Sequence, residues 1–227
     1  MLGIIVLLLL SWLLLHFLLK QNLSVLGINF TKIRLKEFVT GFLFTAILCS
    51  ITQILDSFFK EYSWSINSKI SLQLFTHAVW WDFRSVLSEE LLFRGALLFI
   101  LFKKVGINKS ILISATLFGV YHWFSFGVFG RVIPMLIIFI GTGIMGYAWG
   151  LAYSKTKAII LPLALHFGWN FTQNTIFSKG PLGQLLLTPT NGIELTELMS
   201  LVNFLISMVL MPILTLLYVK LLVKEQE

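Results

Sequence analysis

The chain has 227 residues, 57% of them hydrophobic and 12% charged, with a mean hydropathy of +0.90. A soluble domain carries roughly twice that share of charge, so the composition excludes a soluble fold and predicts an all-α polytopic membrane protein, one transmembrane domain over residues 1–227. The formal net charge of +7 does not imply nucleic-acid binding, because basic loops beside membrane helices give the same bias.

At about 20 residues per span, the length has room for about eight transmembrane helices. Met1 to Leu19 lacks a basic leader and a small-residue cleavage site, so it reads as a retained first helix with His16 at the interface. Residues 20–37 interleave Lys20, Lys32, Arg34 and Lys36 with Ile28, Phe30, Ile33 and Leu35. That pattern fits a segment lying on an anionic lipid surface, and equally a plain basic loop. Helix two is predicted over Phe38–Phe58, with Cys49 in an apolar run; one cysteine allows no intrachain disulfide. Helix three, about Ile70–Leu87, is more polar, carrying Gln73, His77, Trp80, Trp81, Asp82 and Arg84, and is expected to face the protein interior or an aqueous edge. His77 reads as a packing or interfacial residue.

Ser88 is placed as the N-cap of helix four, with Glu89 and Glu90 in its first turn and Lys103-Lys104 at its end. Helix five is predicted over Lys109–Phe126. Helix six, Val132–Ser154, repeats Thr142, Gly146, Gly150 and Ser154 every four residues, a small-residue stripe that lets another helix approach. Helix seven is predicted over Ala158–Phe177, and helix eight over Glu197–Val223 with a kink at Pro212. Between them, residues 178–195 form the longest loop, with Pro181, Gly183, Pro189 and Gly192, and could cover a cavity mouth. Lys and Arg divide almost evenly between the two sides, with a slight excess on the side holding both termini, which leans toward cytoplasmic termini.

The stretch Leu87-Ser88-Glu89-Glu90-Leu91-Leu92-Phe93-Arg94-Gly95 stands apart. Ionisable groups amid apolar residues cost several kcal/mol unless paired or wet, so they mark a functional site. Glu90 and Arg94, four apart, share a helix face in the favoured order for an ion pair. Glu89 is turned about 100° away. Glu90 is therefore the structural carboxylate and Glu89 the one left over, a candidate general base. The bland alternative is an ion-pair cluster that only fixes packing. Glu89 joins His122 on helix five and His166 with Asn170 on helix seven, the last two on one face. A glutamate can take a proton from water, a histidine can orient that water, and an imidazole with a carboxamide can stabilise an oxyanion. Such a set suits amide hydrolysis without a serine or cysteine nucleophile. Glu89, His122 and His166 could instead bind zinc, with water in the fourth position.

These motifs, in this order, resemble the CAAX protease and bacteriocin-processing family of intramembrane proteases, also called the CPBP or Abi family. Two glutamates, three residues and an arginine correspond to Glu89, Glu90 and Arg94, with Phe93 and Gly95 fitting around them. Phenylalanine, three residues and histidine correspond to Phe118 and His122; histidine, three residues and asparagine correspond to His166 and Asn170. The resemblance covers a motif-bearing core of about residues 70–177. It implies an eight-helix core with a membrane-embedded cavity in a multi-pass protein of a bacterial cell membrane. It further implies endopeptidase chemistry on a membrane-associated peptide or protein, in which Glu89 and His122 activate water and His166 and Asn170 stabilise the oxyanion. Glu90 and Arg94 would shape the site. Both a metal-free and a zinc-dependent mechanism are readings within the family. A non-catalytic scaffold, immunity or regulatory role is the alternative, supported by the stripe on helix six and the basic segment 20–37. A proton-coupled carrier is a third reading, weakened by the lack of a paired broken-helix repeat.

Overall fold

The computed structural model describes residues 2–226; Met1, placed in the first helix by sequence, lies outside the described residues. The chain is nearly all helix: α1 (Leu2–Leu19), α2 (Lys32–Phe59), α3 (Leu72–Arg94), α4 (Ala96–Val105), α5 (Ile107–Ser125), α6 (Val132–Thr156), α7 (Ile160–Asn170), α8 (Glu197–Leu205) and α9 (Met211–Leu222). Among the described residues, four helical stretches are long and apolar enough to cross a membrane: Leu2–Leu19, Lys32–Phe59, Val132–Thr156 and the α8–α9 run Glu197–Leu222. Large apolar side chains on these stretches, such as Leu9, Ile47, Leu136 and Leu201, are exposed, as lipid-facing residues are. The expectation of eight spans is thus met by four on length and apolarity. The helices below that mark include the polar α3 and the short α4 and α7, which hold or flank the ionisable residues.

The helix start predicted at Ser88 is not observed. Helix α3 runs unbroken through Ser88, whose hydroxyl donates back to the Arg84 carbonyl oxygen at 2.9 Å in place of capping. The break falls at Gly95, where a Cβ would lie 2.1 Å from the Leu91 carbonyl oxygen. Only glycine fits there, and the Phe93 carbonyl near the break is bonded by the Ser114 hydroxyl of α5 at 2.8 Å. Glu89 and Glu90 consequently sit in the last two turns of a 23-residue helix, not at the start of a new one. Residues 32–37 also differ from expectation. They are the opening turns of α2, capped by Thr31, with Arg34 paired to Glu37 at 2.9 Å and bonded to the Thr156 carbonyl oxygen.

Three close approaches hold the bundle. Helix α2 lies against α7 where both have glycine: a Cβ at Gly168 would lie 2.3 Å from the Phe42 carbonyl oxygen, and one at Gly41 would lie 2.7 Å from Leu161. Helix α5 lies against the small-residue stripe of α6, with Gly146 facing Ala115 and Phe118 and Gly150 facing Ile111. The third contact is between α6 and the α8–α9 run. Pro212 has no N–H for the Met208 carbonyl, the turn widens to a π-helix over Ile206–Leu210, and Gly141 of α6 packs on that carbonyl. Residues 178–195 are not wholly irregular. Strand β2 (Leu187–Pro189) pairs antiparallel with β1 (Trp64–Ile66), and this pair sits at the N-terminal end of α3. Glu89 is about 25 Å further along that helix, so the strand pair does not cover it.

Candidate active site

Helices α3, α5 and α7 bring the sequence-predicted residues together. Glu90 and Arg94 are fully buried, their side chains at 0% exposure, and pair at 3.1 Å one helical turn apart. Arg94 donates its other terminal nitrogen to the Gly146 carbonyl oxygen at 3.3 Å. Its guanidinium carbon lies 4.2 Å from the Phe118 ring centre and 5.1 Å from that of Trp149. An aromatic box of this kind suits a delocalised cation better than a hydrated ammonium. The small-residue stripe thus does more than admit a helix: the missing side chain at Gly146 exposes the carbonyl that Arg94 uses.

His166 donates from Nδ1 to Glu90 Oε1 at 2.9 Å, since a carboxylate only accepts. His122 donates from Nδ1 to the Phe118 carbonyl oxygen at 2.7 Å for the same reason. Each ring is therefore locked in tautomer by its own partner, with Nε2 turned toward Glu89. Glu89 Oε2 stands 4.0 Å from Nε2 of His122 and 3.9 Å from Nε2 of His166. Both distances are too long for a direct hydrogen bond and suit one water between the groups. Glu89 Oε2 is buried with no hydrogen-bond partner among the described residues, although the side chain as a whole keeps 17% of its surface. That exposure opens into a cleft of about 360 Å³ walled by α1, α3 and α5, with Gly3, Trp81, Ser88 and Tyr121 on its sides.

Asn170, the last residue of α7, is half-buried, and its side chain makes no hydrogen bond among the described residues. It lies one turn beyond His166, as the spacing predicts. The helix then widens into a π-helical turn over Phe171–Ile176. From this turn Asn174 and Thr175 both donate to the buried Asp82 carboxylate of α3, each at 2.7 Å. Sequence reasoning noted Asp82 only as part of a polar helix; its intramembrane charge was the available signal. Trp149 was missed altogether. Its indole stacks on His166 with ring centres 4.1 Å apart and planes 20° from parallel. It sits three residues after Gly146 in an almost wholly apolar helix, where nothing marks one aromatic above the others. His77 is exposed on α3, and His16 is exposed and stacked on Trp12, so neither joins the centre.

The donor set Glu89, His122 and His166 was weighed for zinc. Ligand atoms held tetrahedrally by bonds of about 2.1 Å lie roughly 3.4 Å apart. The separations of 3.9 and 4.0 Å are wider, and among the described residues no three His, Cys, Asp or Glu are grouped to hold a metal ion. The set does not fit zinc as it is arranged.

Helices rich in exposed apolar residues, enclosing a carboxylate set against two imidazoles, define a membrane-type helical protein. Residues 71–172, which contain all three motifs and run from α3 through α7, match the family model described as Type II CAAX prenyl endopeptidase Rce1-like. Over this segment the chain is similar to that family, whose description is of an endopeptidase, in agreement with the resemblance carried by the motifs. Comparison with curated proteins and with solved structures gives no match.

Proposed function

We propose that the protein is an eight-helix, multi-pass intramembrane endopeptidase that hydrolyses a peptide bond in a membrane-associated peptide or protein. The observation that carries this is the partnerless Glu89 Oε2, facing two imidazole Nε2 atoms at water-bridging distance. A water held there gives a proton to Glu89 as its oxygen attacks the scissile carbonyl carbon. His122, neutral and fixed by Phe118, accepts a hydrogen bond from the water through Nε2 and orients it. His166 already donates Nδ1–H to Glu90, so it can donate from Nε2 only as an imidazolium, whose charge the Glu90 carboxylate pairs. In that form it stabilises the developing oxyanion together with the Asn170 carboxamide. The proton on Glu89 then passes to the departing amine nitrogen, which leaves as the C–N bond breaks. The pair Glu90–Arg94 takes no part in these transfers and holds His166 in place.

The test is cleavage of a library of membrane-anchored peptides by the purified full-length protein, with and without a strong chelator. Glu89→Gln keeps the shape and removes the base, and a reduction of about 10²- to 10⁴-fold is expected, with chelator leaving wild type active. Wild-type turnover by the variant would refute the assignment, and loss of wild-type activity with chelator would return zinc to the site. Substitution at Gly146 does not separate this reading from a scaffold role, because Gly146 touches Arg94 directly.

A further inference from the structure

The C-terminal end of α6 gathers segments from across the chain. Arg34 of α2 donates to the Thr156 carbonyl oxygen, and the Ile159 N–H donates to the Leu26 carbonyl oxygen, each at 2.9 Å. Lys155 donates from Nζ to the Lys220 and Val223 carbonyl oxygens, each at 2.9 Å. Phe102 of α4 stacks on Tyr153, and Ile111 near the start of α5 packs on Gly150. Residues 20–37, 103–109, 155–157 and 220–226 therefore lie at one end of the bundle, and they carry eleven of the 17 Lys and Arg. At the other end the Ile193 N–H donates to the Lys60 carbonyl oxygen, and Lys179 lies 3.7 Å from Asp56. There, residues 56–69, 131 and 178–197 carry four bases, matched by Asp56, Glu61, Glu194 and Glu197. This overturns the near-even division of charge expected from sequence, which counted α3 and α4 as two crossings. Arg94 meets Gly146 and Phe102 meets Tyr153, so α3 and α4 both run toward the same end of α6. Removing that one reversal brings residues 20–37 to the side of the later basic segments.

We propose that this basic end is a docking surface for the phosphate headgroups of an anionic lipid leaflet, and that it sets the protein with that end at the cytoplasmic face. The argument needs only the four stretches that are long and apolar enough to cross a membrane. Each has its basic flank here: Lys20 follows α1, Lys32 opens α2, Lys155 is in the last turn of α6 and Lys220 in that of α9. Lys and Arg beside such stretches are retained on the cytoplasmic side, whose leaflet is negatively charged. Apolar exposure does not distinguish the two ends, since Phe30 and Leu35 are exposed at one and Phe58 and Ile66 at the other. Charge does. Lys32, Lys36, Lys103, Lys104 and Lys109 are exposed and make no ion pair among the described residues, so their ammonium groups are available to phosphate as point charges. The chain before α2 is also held in place: Leu26 is buried, Asn22 caps the short helical turn Leu23–Leu26, and Gly27 packs on Ala158. Phe30 then projects fully exposed beside Lys32, an apolar tip among lysines that suits the boundary of headgroups and acyl chains. This surface is independent of the peptidase reading, and its test uses no catalysis.

The experiment has two arms, both on the full-length protein. In the first, Asn108→Cys at the basic end and Asn191→Cys at the other, both at exposed positions, are compared with wild type, whose single Cys49 is buried. Bacterial cells expressing each are treated with a membrane-impermeant maleimide, intact and after permeabilisation. Asn191→Cys should label in intact cells and Asn108→Cys only after permeabilisation, with wild type labelled in neither. In the second arm, short-chain phosphatidylglycerol and phosphatidylcholine of equal chain length are titrated into detergent-solubilised protein, and binding is read as the rise in unfolding temperature. Wild type should bind the anionic lipid at least about tenfold more tightly. Joint replacement of Lys32, Lys36, Lys103 and Lys104 by Gln should bring that ratio to about one, while Arg at the same four positions keeps it and Lys69→Gln, at the other end, leaves it unchanged. Any other labelling pattern, reversed or equal at the two positions, overturns the orientation. Equal binding of the two lipids, a preference that survives the four Gln replacements, or displacement of the lipid by an equal concentration of inorganic phosphate overturns the docking surface.

Discussion

On the closed face of α3, Glu90 is sealed from solvent, accepts from Arg94 and His166 on one oxygen, and is roofed by Phe118 and Trp149 through their contacts with Arg94 and His166. On the open face, one residue earlier, Glu89 has no hydrogen-bond partner on Oε2 among the described residues, and its side chain borders a cleft. One step of helix rotation thus divides two like carboxylates into a fixed counter-ion and, on the proposed function, a reactive group. Burying a charge is tolerated where it is paired, and removing one partner is what costs stability; Glu90 keeps Arg94 and His166 on Oε1, although its Oε2 and Arg94 Nε are without a hydrogen-bond partner among the described residues. An oxygen that has no hydrogen-bond partner has none to lose on substitution, so changing Glu89 should cost little stability.

Substitutions on the two faces should therefore fail in different ways. The largest effect is on turnover, from Glu89→Gln, as argued above, with stability expected within about 1 kcal/mol of wild type because no hydrogen bond of Oε2 is lost. Next is Arg94→Met, which leaves Glu90 buried with His166 alone. A loss of about 3–5 kcal/mol is expected, read as an unfolding temperature lower by on the order of 10 °C. Gly146→Ala should cost about 1–3 kcal/mol by overpacking, since the added methyl would lie 3.1 to 3.3 Å from Phe118, Arg94 and Ala115. Asp82→Asn belongs to neither face. It weakens the acceptor that holds the π-helical turn after Asn170, and a loss of about 1–3 kcal/mol is expected by chemical denaturation, with a smaller fall in turnover than Glu89→Gln gives. The smallest effect is Trp149→Phe. It keeps an aromatic ring over His166 and removes a buried N–H that has no partner among the described residues, so stability should change by less than about 1 kcal/mol.

The rotation between Glu89 and Glu90 was readable from sequence because it depends only on helix periodicity, which held although the helix boundary did not. Ser88 looked like a cap because it precedes two acids. The backbone turn that ends α3 at Gly95 would bring a Cβ against a carbonyl one turn back, and nothing in the residue types at 88 and 95 ranks one break above the other. The four residues of the acid–base set were legible because ionisable and amide groups are rare in apolar helices. The supporting shell was less so. The Asp82 partners, Asn174 and Thr175, come 92 and 93 residues later and face α3 from a π-helical turn, whose side-chain directions an α-helical period does not give. The stacking of Trp149 on His166 depends on how α6 is rotated against α7, which an apolar sequence without polar punctuation leaves open. The pairing of β1 with β2 joins two loops too short and too distant to show a strand pattern.

The central claim is that one glutamate does chemistry while its neighbour holds structure. Cleavage rate and unfolding temperature measured together on Glu89→Gln and Glu90→Gln test it most directly. The account predicts that Glu89→Gln loses at least about 100-fold in rate with an unfolding temperature near that of wild type, while Glu90→Gln unfolds several degrees lower, about 1–3 kcal/mol less stable. A Glu89→Gln protein that turns over at the wild-type rate, or one that unfolds early while Glu90→Gln stays stable, would contradict it.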